Sequence, residues 1–175
     1  MIRFATLGIC LLLTVPAVAQ SVGEKTGMNS LAGVTPSTRD FVTEAAQSDM
    51  FEIQSSKAAL TSSNPHIKSF AEKMIADHNK TTAELKGILA SADVNATLPT
   101  AVSSSQQSML GKLHGLHGTD FDSQYQSDQV SGHKDAVSLF KRYSDGGENP
   151  KLKAWAASTL PTLEQHLQMA QNLSE

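Results

Sequence analysis

Between residues 65 and 92, apolar side chains recur every three or four positions: Ile67, Phe70, Met74, Leu85 and Leu89. That spacing matches an α-helix with one face turned inward. Inside the stretch "MIADHNKTTAEL" the stripe is broken by Asp77 and His78, where another leucine belongs. Comparable stripes run through most of the chain. Phe41, Ala45, Ile53 and Ala59 predict a helix ending near Leu60, and Met109, Leu110 and Leu113 a short one over about Ser103–Leu116. Phe121, Tyr125, Val137 and Phe140 predict a long helix over about Asp120–Tyr143. Leu152, Ala156, Leu160, Leu163 and Ala170 predict a last one from Pro150 to about Leu173. No stretch alternates with the period of two that a half-buried strand needs.

The breaks between stripes carry helix-terminus chemistry. Thr35 before Pro36, or Ser37 with Asp40 three residues on, caps the first helix. Asn64-Pro65 and Asn149-Pro150 are two copies of one start signal, a side-chain cap followed by a residue whose φ is already helical. Gly118 reads as a stop, with Thr119 or Asp120 as the next cap, and Pro161 inside the last helix predicts a kink. Tight turns join the first two long helices and the last two, while the middle connection is long and carries the short helix. Short turns make neighbours antiparallel, so the fold class is an all-α, ferritin-like antiparallel four-helix bundle with a short extra helix in the central crossover.

Composition places that bundle outside the cell interior. The first nineteen residues hold Arg3, an apolar run from Phe4 to Val15 and the small-residue box Ala17-Val18-Ala19, the pattern of a signal peptide cleaved after Ala19. The expected organisation is therefore a signal peptide over 1–19, a flexible lead-in over 20–35 and the bundle over 36–175, in a periplasmic or secreted protein. No other apolar run approaches the roughly 20 residues of a membrane span. Removing Arg3 with the signal leaves 13 basic against 17 acidic residues, a balance of −4 with no basic stripe, which argues against nucleic acid as a partner. The one cysteine, Cys10, lies in the signal, so the domain rests on packing without disulfides.

Three histidines fall on or beside inward faces. His78 stands 15 residues from the first tight turn (taken at 63); His133 and His166 stand 14 and 19 from the second (taken at 147). At 1.5 Å per residue the spread is about 8 Å, within side-chain reach. Asp49 and Glu52 on the first helix lie at similar height, 14 and 11 residues from the first turn. Two readings fit. A polar network in the core, with Asp77, Asp128, Asp49, Glu52 or a backbone carbonyl on a neighbouring helix as partners, is the one the residues favour. The alternative is a divalent transition metal held by His78, His133 and His166 with Glu52 as a fourth ligand. A carboxylate-bridged di-metal centre needs Glu-x-x-His pairs, and the sequence has none. His114, His117 and His66 read as surface residues and Trp155 as a core or groove aromatic. No Gly-x-Ser-x-Gly elbow or phosphate-cradling loop occurs, so an enzyme is not the expectation.

The stretches "DFVTEAA" with Glu52 after it, "NPHIKSFAEKMIADHNKTTAEL", Leu98-Pro99, "GTDFDSQY" leading to His133, and "LKAWAASTLPTLEQH" ending at His166 resemble a known family. From Asp40 to about Leu173 the chain is similar to the secreted bacterial domain of unknown function 4142, a ferritin-like four-helix family. The resemblance implies export and an antiparallel bundle, and marks Glu52, Asp77, His78, His133 and His166 as part of the family pattern. It implies no activity. The expected role is a non-enzymatic binding or envelope-stress module of the periplasm. Its partner would be a protein, a small ligand or another copy of itself, and a periplasmic metal-binding protein is the alternative.

Overall fold

The computed structural model describes residues 30, 32–91 and 94–173. The expected signal peptide and most of the lead-in lie outside the described residues. Five helices run through the described residues: α1 (Thr38–Ala59), α2 (Pro65–Ser91), α3 (Ser104–His114), α4 (Gly118–Gly146) and α5 (Pro150–Gln171). No strand occurs among the described residues. The pairs α1–α2 and α4–α5 pack closely across their tight turns, α1 also lies against α4 and α2 against α5, and α3 braces α1 and α4. The result is an all-α bundle with one long crossover, as the hydrophobic pattern implied.

Helix ends follow local chemistry. The Ser37 hydroxyl accepts the Asp40 backbone N–H at 3.1 Å, so of the two starts open to α1 the serine cap is the one used. Asn149 Oδ1 accepts the N–H groups of Lys151 and Leu152, both at 3.1 Å. Ser103 and Gln106 satisfy each other's backbone in a capping box at the start of α3.

The start of α4 differs from expectation. Gly118 is its first residue rather than a stop, with His117 at the cap position and no side-chain bond there. The stop falls earlier, at Gly115, which caps α3. Gly118 instead supplies the positive φ (56°) that swings the chain into α4, a conformation costly for residues with a Cβ. α4 also outlasts its expected end at Tyr143, because the Gly147 N–H closes a further turn on the Tyr143 carbonyl at 2.8 Å. α5 runs unbroken through Pro161, which sits on the exposed face.

The core has two apolar halves. At one end Phe41, Leu85, Phe140, Tyr143, Leu152, Trp155 and Leu163 pack together, with Phe41 stacked on Tyr143 at 3.9 Å between ring centroids. At the other end lie Ala59, Ile67, Phe70, Met74, Leu113, Phe121, Tyr125 and Ala170. On each of the four long helices the residues between these halves are polar and buried: Asp49 and Glu52 on α1, His78 on α2, Gln129 and His133 on α4, His166 on α5. Two residues of the lead-in bond to α4. Arg142 donates from Nη1 to the Val34 carbonyl at 2.6 Å, and Ser30 and Ser138 share a hydroxyl bond.

Candidate metal centre

The polar layer brings His78, His133 and His166 together at the middle of the bundle. Their ring centroids stand 5.4–5.7 Å apart, and each ring is 2 % exposed or less. Each offers one nitrogen to a common space, and the three atoms lie within 4.8 Å of one another.

The rings are anchored from outside by three different acceptors. His78 donates from Nδ1 to Asp49 Oδ1 across α1–α2 at 2.8 Å. His166 donates from Nε2 to Asp77 Oδ2 across α2–α5 at 2.8 Å. His133 donates from Nδ1 to the Gln129 carbonyl one turn back on α4 at 2.9 Å. These bonds fix each ring's orientation and leave the opposite nitrogen (Nε2 of His78 and His133, Nδ1 of His166) with no hydrogen-bond partner in the protein. A buried polar atom left this way costs roughly 1–3 kcal/mol.

The anchors are themselves held. Asp49 accepts from Thr81 at Oδ1 (2.8 Å) and from Thr82 at Oδ2 (2.9 Å). Asp77 Oδ2 also accepts from Lys73 Nζ at 2.9 Å. Glu52 stands beside the cluster with Oε1 3.8 Å from His133 Nδ1, and neither carboxylate oxygen finds a hydrogen-bond partner. It is not one of the three converging donors. A Cβ on Gly132, one residue before His133, would come 2.9 Å from Glu52 Oε1, so the glycine makes room for this carboxylate.

Burial and neighbours set the charges. His133 is pushed down to about 4, first by burial and then by repulsion from His78, against the pull of its bond to Gln129. His166 is also held at about 4, burial outweighing its bond to Asp77. Both are neutral near pH 7 with a lone pair on the inner nitrogen. Burial also pulls His78 down, but the bond to Asp49 and the charge of Glu52 outweigh it and raise the imidazole overall. Burial lifts Glu52 to about 7, partly offset by His78 and Gln129. For Asp77 burial is outweighed by Lys73 and His166, which hold the carboxyl low.

The remaining sequence candidates fall elsewhere. Asp128 is buried but accepts from Gln124 at 2.7 Å on its own helix, and no hydrogen bond joins it to an imidazole. His66, His114 and His117 are exposed. Trp155 belongs to the aromatic core, with its indole N–H donating to Glu84 at 3.0 Å. Sequence reasoning missed Thr81, Thr82 and the Gln129 carbonyl, and did not single out Lys73. The spacing of Lys73 from Asp77 (i, i+4) was its one visible signal.

Comparison with known proteins adds one finding. No curated protein and no solved structure matches the chain. The family model described as Domain of unknown function (DUF4142) matches residues 23–173, and the chain belongs to that family.

Proposed function

We propose that the protein is an exported, non-enzymatic binder of a divalent transition-metal ion, held by His78, His133 and His166 in the middle of the bundle. One observation carries this reading: three buried imidazoles, each anchored by one nitrogen, leave the other nitrogen unpartnered and facing a shared space. Three atoms no more than 4.8 Å apart fit inside a circle of radius 4.8/√3, about 2.8 Å. Metal–nitrogen bonds are about 2.0–2.1 Å, so inward shifts of less than about 1 Å close the site. A satisfied polar network would pair these atoms with one another or with carboxylates; a cation answers all three lone pairs at once.

The outer bonds support the same reading. Metal-bound imidazoles characteristically donate their second N–H to a carboxylate or carbonyl, which fixes the tautomer and strengthens the donor. Asp49, Asp77 and the Gln129 carbonyl fill that role for the three rings. Nitrogen donors with a nearby carboxylate suit Zn²⁺, Cu²⁺, Ni²⁺ or Fe²⁺ over Mg²⁺ or Ca²⁺. Glu52 is the candidate fourth ligand, reached by rotation of its side chain. The lack of Glu-x-x-His pairs favours a single ion over a bridged pair. Export rests on the signal-like first nineteen residues.

The test is elemental mass spectrometry on protein purified without chelators, beside a His78/His133/His166→Ala variant. Near-stoichiometric metal in the wild type, lost in the variant, supports the proposal. Metal-free protein that also fails to take up Zn²⁺, Cu²⁺, Ni²⁺ or Fe²⁺ on titration rejects it. The three anchoring bonds would then serve helix register alone.

A further inference from the structure

The groups that hold the three imidazoles differ in their access to solvent. Of the groups that hydrogen-bond to the three imidazoles, the Gln129 carbonyl belongs to a fully buried residue and the Asp49 side chain is 8 % exposed. The neighbouring Glu52 side chain is 1 % exposed. Asp77 is the most exposed of them, with its side chain 30 % exposed, and it touches His166, whose side chain is 1 % exposed. Both of its short bonds fall on Oδ2: inward to His166 at 2.8 Å and outward to Lys73 at 2.9 Å. The Lys73 side chain is 39 % exposed and lies on the same helix, one turn away.

A dication leaving water for a buried nitrogen site needs oxygen ligands on the way, because stripping its hydration without replacement is prohibitive. Asp77 is the anionic oxygen donor at the boundary, in contact with one of the three rings. The ammonium of Lys73 occupies the same oxygen. It is held by an exposed i, i+4 pair, an interaction weak enough to open readily.

We propose that Asp77 and Lys73 form the gate of the metal site: Asp77 receives the cation at the α2–α5 seam and passes it inward past His166, while the Lys73 ammonium plugs the carboxylate between exchanges. The inference rests on the metal reading and adds to it a route and a control on rate. A gate speeds or slows filling and emptying together, so Lys73, which bonds Asp77 and none of the imidazoles, acts on rates more than on equilibrium affinity. That separates a gating role from a structural one.

The experiment follows Co²⁺ uptake by stopped-flow absorption of the cobalt–imidazole bands, and release into excess EDTA, for the wild type, Lys73→Ala, Asp77→Asn and Lys80→Ala. Lys80 pairs with Glu84 at 3.9 Å on the same helix and is 76 % exposed, so its removal makes the same charge change away from the gate. Lys73→Ala is expected to accelerate uptake and release alike by about two- to threefold, the weight of an exposed ion pair. Asp77→Asn is expected to slow uptake by roughly tenfold through loss of the attracting charge. Lys80→Ala should change neither rate. Thermal melts of each metal-free variant identify any loss of fold, and Lys73→Ala carries the test if Asp77→Asn melts early. Normal cobalt bands with unchanged rates in Lys73→Ala, or equal acceleration in Lys80→Ala, overturn the gate alone. A wild type that develops no cobalt bands overturns the metal reading, and the gate with it.

Discussion

Glu52 shows how one residue can act with opposite sign in two states of this protein. Its carboxyl is fully buried, and burial raises it to about 7. In metal-free protein above that pH it is a buried charge whose cost offsets folding. Glu52→Gln should therefore stabilise the metal-free protein at pH 8, by up to about 3 kcal/mol for a shift of that size. With metal bound the same carboxylate faces a dication, and its removal should weaken affinity about tenfold or more, as losses around metal ligands usually do. Denaturant titration in chelator and metal-competition titration check the two halves. A substitution that stabilises the protein and leaves affinity untouched would remove Glu52 from the site. Among the histidines, each position on an apolar stripe was visible in the sequence. Their partners were less so, because Asp49 meets His78 through the rotation of α1 against α2, and the His133 acceptor is a backbone carbonyl that no residue type announces.

At the scale of the helices, the polar layer exists because four stripes change character at one height. On α2 the apolar positions run from Ile67 to Met74 and resume at Leu85, with His78 between; on α4 they resume at Ala136, three residues after His133. The register of those gaps depends on the turns. Asn149 caps α5 through two backbone bonds, and the short link it closes sets His166 against His133. Asn149→Ala is expected to cost about 1 kcal/mol of stability, the usual worth of such a cap. Metal affinity should fall by less than for any histidine variant, since α4 and α5 stay packed along their length. Chemical denaturation and competition titration test this together. The caps and long stripes were legible in the sequence because they are local. The start of α4 was not: Gly118 carries the signature of a stop, and only the geometry of the α3–α4 loop makes it a beginning.

For the whole molecule, the buried titratable groups fix how stability responds to pH. His133 and His166 titrate near 4 when folded and near 6.5 when unfolded. Between those values the unfolded chain binds more protons, so stability falls as pH drops from about 6.5 to 4, by on the order of 3 kcal/mol per histidine. Glu52 works the other way: its contribution is present below about 4.5 and lost as pH rises to 7. His78 is raised, so its contribution is present below its unfolded value and lost as pH climbs through the folded one. Two lowered imidazoles outweigh one raised carboxyl on the acid side. Metal-free protein is therefore expected to melt highest near pH 6–6.5, and circular dichroism melts in chelator across pH 4–9 measure it. Bound metal should move that maximum to higher pH, because the ligating nitrogens must be free of protons.

The most direct measurement is an anomalous difference map from crystals soaked in Zn²⁺ and recorded across the zinc absorption edge. A metal ion held by the three imidazoles gives one strong peak in the middle of the bundle, about 2.0–2.1 Å from Nε2 of His78, Nε2 of His133 and Nδ1 of His166. A map with no peak there, or with zinc only at the exposed His114 and His117, would contradict it.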